Sequence, residues 1–322
     1  MKPDQKSLRI GAAVILLAII LRFFGSSFAA ELTQLFTHPT VAGIMLYAGT
    51  GKVFHQAPPP AVTEPSPTEA PPVQAEFSAQ DVALVSVTNY PGYSIDIEKL
   101  LQKPLNWNLT TKAPAVLILH SHTSESYKNT ENYTESTAYR TMDEQYNMVS
   151  IGRQLAQKLT EKGIGVLHDT TIHDYPSYNN AYALSKKTVQ AYLDKYPSIK
   201  LILDIHRDAY TDSSGNQLSS TVTVGGVTSS RLMIVTGTDA NNNRHPNWQD
   251  NLSTAVKLQA TMEQLYPGLC RNVCIRSSSF NQELSPGMLL IEVGTAGDTR
   301  QQALAAAAFL ADGIAALAYG SS

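Results

Sequence analysis

The chain has 322 residues, 24 lysines and arginines against 27 aspartates and glutamates, and a formal net charge of −3. That slightly acidic balance, with no basic face, excludes a nucleic-acid binder. At 43% hydrophobic and 8% aromatic residues, the composition is that of a globular protein with room for one sizeable core.

Residues 1–30 read as a targeting segment. Lys2, Lys6 and Arg9 precede an apolar run over 10–21, and Arg22, Phe23 and Phe24 follow it. The run is short of the about 20 residues that span a bilayer. It stretches over 8–30 if Arg22 snorkels to the interface. Ser27-Phe28-Ala29 also offers a small-x-small cleavage site of the kind signal peptides carry. Anchor or cleaved signal, the leading cations keep the N-terminus inside and send the rest out. Residues 31–78 read as a juxtamembrane segment and linker. The Pro, Thr, Glu and Ala stretch from Ala57 to Val73 cannot pack a core and is expected to be an extended spacer.

The third segment, 79–322, carries the folded pattern. It opens over 82–87, turns at Tyr90-Pro91-Gly92 and continues as a short strand or loop near Ile95 to Ile97. The apolar run 115–119, bounded by Pro114 and polar residues, is the pattern of a buried parallel strand. Met148, Ile151, Leu155 and Leu159 recur at three and four, which predicts an amphipathic helix over 144–162, ended by Gly163 and Gly165. A strand at 165–167 and a helix over 180–196 follow, then strands at 201–205 and 231–236. A helix over 249–265, a strand at 288–293 and an Ala-rich helix over 298–317 complete the order. Residues 218–228 read as an inserted hairpin. This alternation argues for an α/β fold, a mostly parallel sheet with helices on both faces. Cys270 and Cys274 leave open a local disulfide, which needs a turn between them, or two free thiols.

In open α/β sheets the ligand sits beyond the carboxyl ends of the strands. Three strand ends here carry ionisable groups: His120-Ser121-His122-Thr123-Ser124-Glu125, then Asp204-Ile205-His206-Arg207-Asp208, then Glu292-Val293-Gly294. Two histidines and a carboxylate make a standard catalytic zinc set. A further glutamate beside it can act as general base. His122 and Glu125 stand three apart and grip one ion if the chain turns helically there. Strand alternation puts His120 on the same side as His122, so either can be the ligand. A carboxylate next to His206 can hold its second ring nitrogen. Glu292 ends an apolar strand, where burial raises a carboxyl toward the range a base needs. Its structural alternative is an ion pair to Arg276 or Arg300. Arg207 faces a substrate anion or pairs with Asp204 or Asp208. Asn281 is a plausible hydrogen-bond donor to substrate. No P-loop and no G-x-S-x-G occurs, so phosphoryl transfer and serine-hydrolase chemistry lack support.

These motifs resemble the stage II sporulation protein P family. The resemblance rests on residues 116–127, Gly163-Ile164-Gly165-Val166 with His168-Asp169, and Asp204-Ile205-His206-Arg207-Asp208-Ala209. It extends through Gly237-Thr238-Asp239, His245-Pro246-Asn247-Trp248, residues 280–287 and Leu290-Ile291-Glu292-Val293-Gly294. The resemblance implies a zinc-dependent N-acetylmuramoyl-L-alanine amidase fold on a membrane-anchored hydrolase facing the cell wall. It implies action on peptidoglycan, cutting stem peptides from muramic acid and also peptide cross-links, with stage II sporulation proteins D and M as partners. His122 and His206 would be Zn²⁺ ligands and Glu292 the catalytic carboxylate. For the third ligand Glu125 competes with Asp143 or Glu144. The family's usual Arg or Tyr before Asn-Gln is replaced by Ser279-Phe280, which bears on substrate contacts in that loop. An endopeptidase or carboxypeptidase on the same wall peptides, and a non-catalytic wall-binding protein, are the rival readings.

Overall fold

The computed structural model describes residues 75–320, apart from 106, 112, 129–138 and 243. The expected targeting segment over 1–30 and most of the linker over 31–78 lie outside the described residues.

Seven strands form the main sheet: β1 (Val87–Asn89), β2 (Val116–Leu119), β3 (Val166–His168), β4 (Leu201–Asp208), β7 (Leu232–Thr236), β8 (Val273–Ile275) and β9 (Met288–Thr295). Their order is β1-β8-β7-β9-β4-β2-β3. Strands β5 (Thr221–Val224) and β6 (Val227–Ser230) pair as a separate antiparallel hairpin. Every neighbour in the large sheet is parallel except β7 against β9. The sheet is thus two parallel blocks joined back to back, and the carboxyl ends of β2, β4 and β9 share one edge.

Five helices accompany it: α1 (Ile97–Gln102), α2 (Met148–Glu161), α3 (Ala181–Lys195), α4 (Trp248–Leu265) and α5 (Arg300–Tyr319). Side chains on a strand alternate between faces, and the sheet uses this cleanly. Val116, Ile118, Leu203, Ile205, Ile234, Val273, Leu289 and Ile291 point to one face, where they form a single core with buried residues of α2, α4 and α5. On the other face Leu117, Leu119, Ile202 and Met288 meet Val189 of α3. On the rest of that second face, over β9, β7 and β8, Val235, Cys274 and Leu290 cluster with Tyr182 of α3, Met233 and Phe280 and line a cleft.

Local signals explain the helix ends. The Asn147 side chain accepts from Val149 N–H to start α2, and a Thr299–Gln302 capping box starts α5. Among the described residues α5 alone is long and apolar enough to cross a bilayer. Its face of Ala303, Ala306, Leu310 and Ile314 is buried in the core.

Some expectations need correction. Of the strand or loop expected at Ile95 to Ile97, the structure has the loop, and it is shorter than expected: Asp96 accepts from Lys99 N–H and starts α1 at Ile97. The helix expected over 144–162 begins at Met148. Strands β1 and β8 were not foreseen; each is three residues long, too short to show a period. β4 runs to Asp208, so His206 lies within the strand rather than after it. Cys270 and Cys274 are both buried free thiols, and Cys274 sits in β8.

Candidate metal centre and cleft

β2 ends at Leu119, and residues 121–124 turn sharply rather than forming a helix. The turn is fixed from afar. The buried Asp174 carboxylate accepts from Ser124 N–H, at 3.1 Å, and from the Ser124 hydroxyl, at 2.6 Å. Glu125 N–H donates to the His122 carbonyl at 3.1 Å. The i,i+3 spacing therefore works through a turn, and His122 Nδ1 stands 3.5 Å from Glu125 Oε1.

β4 supplies His206, whose Nδ1 lies 3.6 Å from Glu125 Oε2. Asp204, two residues earlier and so on the same face, sets Oδ1 2.9 Å from His206 Nε2, out of line with the ring N–H. Asp204 is itself fully buried and accepts from Ser121 N–H at 2.7 Å and from the Ser121 hydroxyl at 2.6 Å. Glu292 on β9 is the direct register partner of His206. Its Oε2 is shielded from solvent and has no hydrogen-bond partner. No ion pair to Arg276 or Arg300 is formed. Burial drives the Glu292 carboxyl up to about 8, with Glu125 and Asp208 adding to the rise and His206 opposing it.

One atom from each of His122, Glu125 and His206 lies within 4.8 Å of the others. Zinc bonds of about 2.0–2.1 Å in a tetrahedron set donor atoms roughly 3.3–3.5 Å apart. The 3.5 Å separation of His122 Nδ1 from Glu125 Oε1 and the 3.6 Å separation of His206 Nδ1 from Glu125 Oε2, one to each carboxylate oxygen, are each close to such an edge. Two imidazoles and a carboxylate are also the right chemistry, and Asp204 at the far nitrogen of His206 is the usual outer partner of a ligating histidine. The residues fit the ion. Burial opposes charge on Glu125, but Arg207 and hydrogen bonding with His122 and His206 outweigh it and hold the carboxylate ionised. Burial likewise opposes protonation of His206, but Asp204 and Glu125 raise its affinity for a proton, which a metal ion would replace.

The other named residues fall elsewhere. His120 is not beside His122. Its ring turns under the sheet, with Nδ1 donating to the Ile205 carbonyl at 2.9 Å and Nε2 2.9 Å from His168 Nε2. Burial drives it down to about 3, so it is neutral. Asp143 and Glu144 are exposed ahead of α2, and Glu144 pairs with Arg153. Arg207 borders the cleft but pairs with neither Asp204 nor Asp208. Its guanidinium donates to Glu125 Oε1 at 3.4 Å and to the Ser126 and Tyr139 carbonyls at 3.0 Å. Asn281 is buried, with Nδ2 donating to the Tyr182 carbonyl at 2.8 Å and the Ser185 hydroxyl at 3.1 Å.

A cleft of about 350 Å³ covers this site. Its mouth is lined by Arg140, Tyr178 and Tyr182, and its floor by Met233, Val235, Cys274 and Leu290. Tyr178 stacks on His122 at 4.2 Å and carries the Arg140 guanidinium 4.1 Å from its own ring. Sequence reasoning missed both tyrosines. The i,i+4 spacing of Tyr178 and Tyr182 ahead of a helix was the available signal.

An α/β sheet here gathers a candidate His–Glu–His metal site and a glutamate with an unpartnered oxygen at one edge, under an open cleft. The chain belongs to the stage II sporulation protein P family, whose model matches residues 61–315. It is 28% identical over 209 residues to the stage II sporulation protein P of Bacillus subtilis (strain 168), covering 61% of this chain and 49% of that protein. The chain thus spans about half the length of that curated relative. Similar solved structures include an N-acetylmuramoyl-L-alanine amidase from Clostridium difficile, at 19% identity and a TM-score of 0.37 over 64% of this chain and 94% of that one. Another is the CwlD amidase from Clostridioides difficile in complex with the GerS lipoprotein, at 14% identity and a TM-score of 0.39 over 62% and 96%.

Proposed function

We propose that this chain is a zinc-dependent peptidoglycan hydrolase that cleaves the amide between N-acetylmuramic acid and the L-alanine of the stem peptide. Residues 1–30 hold it at the cell membrane or direct its export, 31–78 act as a spacer, and 79–322 are the catalytic domain outside the cytoplasm. Stage II sporulation proteins D and M are the partners its family suggests. The observation that carries the reading is the pairing of a zinc-spaced His122–Glu125–His206 cluster with an unpartnered, proton-avid Glu292 directly across the strand from His206.

His122, Glu125 and His206 would hold the ion. Bound there, zinc would supply the Lewis acidity that acidifies a water and polarises the amide carbonyl. Glu292 takes a proton from the attacking water as the water oxygen bonds to the carbonyl carbon. Glu292 then returns the proton to the nitrogen as the carbon–nitrogen bond breaks, releasing muramic acid carboxylate and a free L-alanine amine. Asp204 keeps the His206 ring in one orientation. Arg207 holds Glu125 ionised and in place.

The test is digestion of isolated sacculi by the full-length zinc-loaded chain, with mass analysis of the products. Stem peptides bearing a free L-alanine N-terminus are expected. The Glu292→Gln variant should retain about one zinc per chain and release none. Products cut only within cross-links would make the enzyme an endopeptidase and sink the bond assignment. An active Glu292→Gln variant would sink the role of Glu292.

A further inference from the structure

We propose that Tyr182 donates a hydrogen bond to the carbonyl of the scissile amide as that oxygen gains negative charge. This inference rests on the hydrolase reading above and adds to it a residue that touches the reacting group. Tyr182 lies in the first turn of α3, over the cleft face of the sheet. Its ring stands 5.3 Å from His122, edge-on, and 6.3 Å from His206, nearly parallel at 11°. It lines the cleft with Glu292.

The tyrosine hydroxyl is a polar handle that a part-buried ring normally satisfies. Among the described residues this one makes no hydrogen bond. The residue's polar contacts are those of its backbone carbonyl, which accepts from Ser185 and Asn281. A phenol is a hydrogen-bond donor, and this one shares the cleft wall with His122, Glu125, His206 and Glu292. Tyr178 differs in placement: its ring stacks on His122 at 4.2 Å and its hydroxyl stands 3.4 Å from His122 Nδ1.

The backbone around Tyr182 is clamped at some cost. Phe280 and Asn281 are consecutive non-glycine residues in left-handed conformation, with φ of 53° and 60°. Such residues persist where surrounding structure over-determines them, commonly at functional sites. Here the strained turn puts the Phe280 ring 5.9 Å from Tyr182 and the Asn281 amide on the Tyr182 carbonyl. Gln282, next in line, fixes the turn to the sheet by accepting from Gly237 N–H and donating to the Val235 carbonyl. Asn281 also donates to Ser185, whose hydroxyl meets that of Ser121 at 2.7 Å, and Ser121 donates to Asp204 beside His206. One buried hydrogen-bond path thus runs from the Tyr182 carbonyl to Asp204, the carboxylate that faces His206. Asn281, expected to touch substrate, is a positioning residue for Tyr182.

The experiment compares the full-length zinc-loaded chain with its Tyr182→Phe variant, which keeps the ring and loses only the hydroxyl. Turnover is followed on a soluble muramoyl-peptide. Binding of a phosphinate that mimics the tetrahedral centre is followed by calorimetry. Loss of one preorganised oxyanion donor lowers kcat by about 10²–10³. The variant should show that fall with KM nearly unchanged, zinc content and Tm unchanged, and phosphinate affinity reduced by a comparable factor while product-peptide affinity holds. A kcat within threefold of the parent, or undiminished phosphinate binding, overturns the inference and leaves the hydrolase reading intact. A parent chain that binds zinc yet releases no product from soluble substrate or sacculi removes that reading and this inference with it.

Discussion

Replacing Asp204 by Asn isolates the charge behind His206 with almost no change of shape. Asp204 is 0% exposed and accepts from Ser121 twice while facing His206 at 2.9 Å. An asparagine has two ways to sit. With its NH₂ toward Ser121 N–H, two donors oppose each other, at a cost of roughly 1–3 kcal/mol. With its NH₂ toward the Ser121 hydroxyl, that hydroxyl can accept from it and donate onward to Ser185, which is 2.7 Å away. The second arrangement wins, so the fold should lose no more than about 1 kcal/mol. His206 keeps an oxygen neighbour but loses the anion that makes its ring a strong ligand. Removal of such outer partners costs about 10–100-fold in metal affinity, or roughly 1.4–2.7 kcal/mol. Lowered basicity of His206 also reduces proton competition, so the measurement belongs at pH 8, where that offset is smallest. Competition against a chromogenic chelator reads the affinity, and urea unfolding of the metal-free protein reads the fold. Wild-type zinc affinity in Asp204→Asn would refute the assignment of Asp204 as the partner that tunes His206.

Three other outcomes follow from the same geometry. Arg207→Met strips Glu125 of its buried cation and should cost the metal-free protein about 3–5 kcal/mol by chemical denaturation; a loss below about 1 kcal/mol would mean Glu125 is not held by that pair. Glu292 titrates near 8 in the folded chain against an ordinary value of 4.5, so the folded state keeps a proton that the unfolded chain has released between those limits. Metal-free stability should therefore fall as pH rises from about 4.5 to about 8, by up to about 1.4 kcal/mol per pH unit. Glu292→Gln should flatten that share of the slope, and an unchanged slope would reject the raised value. A Cβ at Gly152 would meet the imidazoles of His168 and His120, the latter at 2.6 Å from Nε2, so Gly152→Ala should lower stability by about 1–3 kcal/mol; an unchanged Tm would show that the histidine pair yields freely.

What was legible in the sequence is tied to apolar runs. The runs at 115–119, 201–205 and 288–293 announce buried strands, and at the same sheet edge the first leads to His122 and Glu125, the second to His206 and the third to Glu292. What was not legible depends on long-range contacts. The direction of His120 is decided by where β2 stops and by the carboxylate of Asp174, fifty residues on from Ser124. Alternation alone placed His120 beside His122, whereas the chain leaves the strand at Leu119 and sends the ring toward Ile205 and His168. Arg207 pairs not with its sequence neighbours Asp204 or Asp208 but with Glu125 on the β2 turn, 82 positions away. Strands β1 and β8 are three-residue segments whose pairing, not their pattern, makes them strands. Tyr178 and Tyr182 share an i,i+4 spacing across the start of α3, but that spacing does not say which face meets the cleft.

The alternation of the sheet separates two kinds of inheritance. On β7 and β8, Ile234 and Val273 belong to the core that α2, α4 and α5 enclose, while Met233, Val235 and Cys274 form the cleft floor. Neighbouring residues of the same strand thus carry different constraints, core packing on one face and cleft shape on the other. A substitution at 233, 235 or 274 can reshape what the cleft admits while the buried letters on either side keep the strand in register. The protein can therefore drift in what it recognises without renegotiating how it folds, and it does so within segments only three to five residues long.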